Sequence, residues 1–159
     1  NSLSVLYIAL IRSLLEYASV AWNSLTATDC NKLEAIQKKF TSLCHYRFFA
    51  NTCDRKYDTM LQEIGFSTLD SRRLHLDSLF LINVFMGKID CPSILDTVSL
   101  RVPTHKVRDF STFTSPGPNA HKSCPSARCS MAANIITKHL NIFNCKTVSL
   151  KDTFRIFNA

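Results

Sequence analysis

LSVLYIALIRSLLEYASVAWNSLTATDCNKLEAIQKKFTSL, residues 3–43, reads as two helices joined by a short polar turn. The first, Leu3 to Trp22, carries apolar residues on more than one face: Leu6, Leu10, Leu14, Tyr17 and Ala21 recur at helical spacing, with Ile8, Ile11 and Leu15 beside them. A helix so apolar is expected to be covered on most sides. Arg12 and Glu16, four apart, can pair on its narrow polar face. The turn Ser24 to Thr28 is short enough to return the chain antiparallel. Thr28 or Asp29 then caps a second helix, whose stripe Leu33, Ile36, Phe40 and Leu43 follows spacings of three and four. Lys32 and Lys39 flank that stripe on one side and Lys38 on the other. They read equally as snorkelling lysines on a solvated face or as contacts to phosphate.

Could Leu3–Trp22 cross a membrane or direct export? Arg12 and Glu16 sit near its centre, each costing roughly 2.5–3.5 kcal/mol on the insertion scale. It also lacks a basic leader and a cleavage site, so no targeting signal is seen and an intracellular chain with reduced thiols is expected. Seven cysteines without regular spacing make a poor disulfide framework. The opening at Asn1 rather than Met reads as a piece of a longer protein.

Further along, His45 to Asp54 reads as a loop. A helix follows from about Arg55 to Ile64, stopped by Gly65. Ser67 and Asp70 fit a capping box for a helix from Leu69 to Met86. Asp70, Arg72, Arg73 and Asp77 are expected on its exposed side, and Leu79 to Met86 deep in the core. Pro92 opens a short helical turn. Between Ser99 and Ser123 the texture becomes rich in Pro, Ser and Thr, with Leu100-Arg101-Val102 as a brief extended stretch and Lys106 and Arg108 as basic points. Pro125 starts another helix, and Ser149 with Asp152 fits a last capping box. The resulting fold class is mainly α: a helical hairpin plus further helices (1–98), a loop-rich connection (99–123) and a C-terminal helical extension (124–159). Only 3 Gly and 5 Pro argue against a turn-dense β-sandwich.

A catalytic constellation is missing from the sequence. Two-metal polymerases and nucleases need clustered carboxylates, and the 12 acidic residues here include no Asp-Asp or Asp-x-Asp. There is no Gly-rich phosphate loop and no nucleophile elbow. Cys44 and His45 are adjacent and diverge on a helix, which disfavours a nucleophile pair. His121, Cys124, Cys129, His139 and Cys145 match no tight zinc knuckle, so a small zinc-binding module is the weaker alternative. No catalytic, cofactor-binding or metal residue is assigned. The formal net charge of +7 fits either plain solubility or an anionic partner.

The strings LYIALIRSLLEYASVAWNSL and NKLEAIQKKFTSL resemble the region that follows the polymerase palm in reverse transcriptases of jockey-type non-LTR (LINE-like) retrotransposons. So do YDTMLQEIGFSTLDSRRLHLDSLFLINVFMGKIDCPSIL, VPTHKVRDF and SCPSARCSMAANIITKHLNIF, in the family's order and over nearly the whole chain. The resemblance implies the thumb and tail of an RNA-directed DNA polymerase whose catalytic aspartates, and the magnesium they hold, lie upstream. It also implies an RNA or RNA–DNA hybrid as partner, the palm as neighbour and a nuclear site for the parent protein. Positions that fit backbone contacts are Arg12, Lys32, Lys38, Lys39, Arg72, Arg73, Lys106 and Arg108. The rival from the residues alone is a structural or protein-interaction helical domain.

Overall fold

The computed structural model describes residues 2–48, 56–102, 111–114 and 124–138. These residues are mainly helical, as the periodicity requires. The order is α1 (Ser2–Leu6), a π-helical stretch (Tyr7–Arg12), α2 (Ser13–Glu16), α3 (Ser19–Trp22), α4 (Ala27–Phe48), α5 (Tyr57–Ile64), α6 (Leu69–Phe85), α7 (Pro92–Leu95) and α8 (Pro125–Thr137). The chain divides into two compact units, Asn1–Ser19 with Leu25–Arg73, and Val20–Ser24 with Leu74–Ala159.

In the first unit the expected single helix over Leu3–Trp22 is interrupted. Its second and third turns widen into the π-helical stretch, and the helix stops at Tyr17, after which Ala18 takes a left-handed φ of 48°. Nor is it covered on most sides. Val5, Leu6, Leu10, Leu14 and Tyr17 are exposed, Leu14 at 76% and Tyr17 at 78%. What turns inward is Tyr7, whose ring stacks on Phe40 at 4.1 Å and on Phe66 at 5.8 Å. Tyr7 is the one fully buried residue of α1, the π-helical stretch and α2, with Leu3 and Leu15 half-buried and the remaining aliphatic residues turned outward.

Helix α4 is also longer and differently turned than its stripe suggests. Thr26, not Thr28 or Asp29, caps it: the Thr26 hydroxyl accepts from the Asp29 N–H and donates to the Asp29 carboxylate. The helix runs through His45 to Phe48, where a loop is expected from the sequence. Its buried residues are Gln37, Thr41, Cys44 and His45, whereas Ile36 and Leu43 face out. The reason is a polar lock. Gln37 accepts from the Tyr7 hydroxyl at 3.2 Å and donates to the Ser67 carbonyl at 2.9 Å and the Tyr57 hydroxyl at 3.2 Å. Tyr57 donates in turn to Glu34, and the other Glu34 oxygen accepts the Leu69 N–H at 3.0 Å. A buried amide with every group used is stable only if its whole helix face turns with it.

Gly65 ends α5 with φ 77°, as expected. The cap of α6 is Thr68, whose hydroxyl accepts the Ser71 N–H at 3.2 Å, in place of the Ser67–Asp70 box. Within α6, Asp70 is exposed, but Arg73 and Asp77 are buried and Arg72 nearly so. Each has found a charged partner, and that is why the polar side of the helix does not face solvent.

In the second unit Leu79, Leu81 and Ile82 of α6 pack with Phe113 and with Cys129, Ala133 and Ile136 of α8. The extended stretch near Leu100 is a single bridge between Leu100 and Phe113, closed by Arg101 N–H to Thr112 O at 2.9 Å. Asn134 clamps it by accepting the Phe113 N–H at 2.9 Å and donating to the Phe113 carbonyl at 3.0 Å. Asp77, 0% exposed, receives Arg128 Nε at 2.7 Å and Asn23 Nδ2 at 3.1 Å, while Arg128 also donates to the Val20 carbonyl.

Two stability outcomes follow from this packing. Asp77→Ala leaves the Arg128 guanidinium without its counter-charge and should lower unfolding free energy in urea by about 3–5 kcal/mol. Gly65→Ala meets no atom within 4 Å, so its cost is the left-handed backbone alone, about 1–2 kcal/mol by the same measurement.

Candidate nucleic-acid interface

The candidate cations separate into two sets. The first consists of arginines held inside the first unit. Glu16 receives two donors of Arg72, the second at 2.8 Å, and Arg12 approaches the same carboxylate at 3.7 Å. Arg12 also lies 5.1 Å over the Phe66 ring. Its pKa is lowered, by burial first and then by the neighbouring Arg72 charge. Arg73 reaches Asp70 at 3.3 Å and is almost wholly buried, its Nε without a hydrogen-bond partner among the described residues. Arg12 and Arg72 meet at Glu16 and Arg73 is held separately, and all three act as supports inside the unit rather than as a surface.

The second set lies on the outer side of α4. Lys32 is 72% exposed and pairs with Asp29 at 3.0 Å, a contact of small value at such exposure. Lys38 and Lys39 are exposed, and the Lys38 ammonium stands 5.1 Å over the Tyr57 ring. Lys39 has no ion pair among the described residues. Lys106 and Arg108 lie outside the described residues.

The sequence reading missed Tyr46 and Arg47, both exposed on the last turns of α4. A helix ended at Leu43 could not include them. The available signal was the continued recurrence of Gln37, Thr41, Cys44 and Phe48 at three and four. From Ala35 to Phe48 the helix carries Lys38, Lys39 and Arg47 and no acid.

Chemistry beyond charge is limited among the described residues. No group of three or more His, Cys, Asp or Glu is placed to hold a metal there. Of the suspected zinc set, only Cys124 and Cys129 are described. Cys44 and His45 both lie on the buried face of α4, and burial raises the Cys44 thiol above its usual range. His45 instead lies 3.7 Å from Glu63. No helix among the described residues is long and apolar enough to cross a membrane. Compared with known proteins, the chain matches no family model, no curated sequence and no solved structure.

The described thiols should differ sharply in reactivity. Cys124 is exposed and its pKa is lowered, first by the hydrogen bond with the Ser126 side chain. Cys129, by burial and then by Asp77, is pushed up to about 12. Thiolate is the reactive form, so at pH 7 iodoacetamide should label Cys124 before Cys44 and Cys129. Peptide mapping of a time course checks the order, and early labelling of Cys129 would contradict its burial.

Proposed function

We propose that this chain is the thumb and tail portion of a jockey-type non-LTR retrotransposon reverse transcriptase, and that it holds an RNA–DNA hybrid or element RNA by backbone contacts. The reading rests first on the five strings that resemble that family in order. The observation that carries it is on α4: its lysines and Arg47 are exposed, while Arg12, Arg72 and Arg73 of the same unit are committed to internal partners. Lysines that cooperate with no base-reading group contact phosphate as point charges, without sequence preference. Catalytic carboxylates would belong to the upstream palm.

A second reading, a protein-interaction helical domain, is favoured by a different observation. The apolar face of α1, the π-helical stretch and α2 exposes Val5, Leu6, Leu10 and Leu14 together. Contiguous apolar surface of this kind marks an interaction site on a folded protein.

The two readings separate in a salt series. With Lys32, Lys38 and Lys39 all changed to Gln, affinity for an RNA–DNA hybrid should fall, and the salt slope should shrink by about one unit per lost contact. Circular dichroism confirms that the variant is folded. An unchanged slope would remove this face from the phosphate contacts. Salt-insensitive capture of a protein with no hybrid binding would favour the second reading. The isolated chain should incorporate no nucleotide on a primed RNA template with magnesium, and incorporation by a pure sample would refute the assignment as a fragment.

A further inference from the structure

The outer strip of α4 holds more than cations. Lys32, Ile36, Lys39, Leu43 and Tyr46 follow one another at spacings of four, three, four and three, which places them on one face. Ile36 is 40% exposed, Leu43 53% and Tyr46 80%, and Arg47 is exposed beside Tyr46. Neither Lys39, Tyr46 nor Arg47 is engaged with another described residue. A duplex backbone presents phosphate and sugar and leaves such apolar groups unused. An unpaired strand presents both phosphate and the π-faces of its bases.

We infer that the Leu43–Arg47 end of α4 takes single-stranded nucleic acid, with Lys39 and Arg47 on phosphates and an unpaired base stacked on the Tyr46 ring. The inference rests on the nucleic-acid reading above and specifies the form of ligand. Charge and shape favour it over an acidic protein helix on the same strip. Lys39 lies between Ile36 and Leu43, so a protein partner would bury an ammonium at the centre of the contact. Protein interface cores are depleted in charge, and in lysine particularly. Alternating cations and apolar groups, ending on an exposed aromatic, are instead what strand-binding grooves use. Stacking on an aromatic does not depend on base identity, because every base has a π-face.

The test uses the full chain and a fluorescein-labelled 16-nucleotide RNA, single-stranded or annealed to its complementary DNA, with anisotropy as readout. Tyr46→Ala should weaken single-strand binding roughly 5- to 150-fold and leave hybrid binding within about two-fold. Tyr46→Phe should retain parent affinity, because the ring and not the hydroxyl makes the contact. Lys39→Gln should lower the single-strand salt slope by about 0.7, whereas Tyr46→Ala should leave it unchanged. At 80% exposure Tyr46 supports no core packing, and circular dichroism checks that each variant is folded. Equal loss on both ligands, or no loss on either, overturns the stacking inference while hybrid binding by the parent keeps the broader reading alive. Failure of the parent to bind either ligand at low salt overturns both. Sedimentation that shows a parent dimer dispersed by Tyr46→Ala would assign the strip to a second copy of the chain and also overturn the inference.

Discussion

Gln37 sets the rotation of α4, and most of the first unit follows from it. Its amide joins Tyr7, Tyr57 and the Ser67 carbonyl, and Glu34 extends the lock to the start of α6. Breaking one of these bonds strands a buried polar group at a cost of about 1–3 kcal/mol. Exposing Ile36 or Leu43 forfeits only the partial burial each could have had, with about 25 cal/mol for each Å² of apolar surface concerned. Burying the whole polar set against three elements outweighs the two aliphatic side chains. Burial likewise raises the pKa of both tyrosines, Tyr7 to about 12, so the hydroxyls that donate in the lock stay protonated into alkaline pH.

How much of this was legible in the sequence depended on what held each element. Where apolar burial decides, the reading was good: the second half of α6, the Gly65 stop, Pro92 and Pro125 as first helical residues, and the helical class itself. Where a long-range polar partner decides, it failed. Nothing in the local pattern of α6 tells that Asp77 will meet Arg128, 51 residues away, or that Arg72 will meet Glu16, 56 residues away. The α4 stripe held for Leu33 and Phe40 and failed for Ile36 and Leu43 for the same reason, since Gln37 looks like a surface residue until Tyr7 and Tyr57 are placed against it. The end of the first helix failed differently: Ala18 carries no turn signal, and its left-handed φ is imposed by tertiary context.

For the candidate site the consequence is specific. Rotating α4 onto its polar face moves Ile36 and Leu43 into the same outer row as Lys32, Lys39 and Tyr46. The stripe is therefore split: Leu33 and Phe40 stay against the core, while Ile36 and Leu43 join a surface in which apolar and cationic groups share one line. The constraint that buries a glutamine is what produces a mixed face outside.

Arginine and lysine part company in this unit for a physical reason. A guanidinium is weakly hydrated and offers a planar fork, so Arg72 can hold both oxygens of Glu16 while Arg12 sits over the Phe66 ring. An ammonium is strongly hydrated and loses more when buried. The fold thus draws Arg12, Arg72 and Arg73 inward as cross-links and leaves Lys38, Lys39 and Arg47 exposed. Arg12 and Arg72 share the single carboxylate of Glu16 and Arg73 faces Asp70, so these cations are partly offset inside the unit, while Lys38, Lys39 and Arg47 stand exposed on α4. Within this unit, cations left in solvent on α4, rather than those committed to internal carboxylates, are the ones an approaching anion can reach.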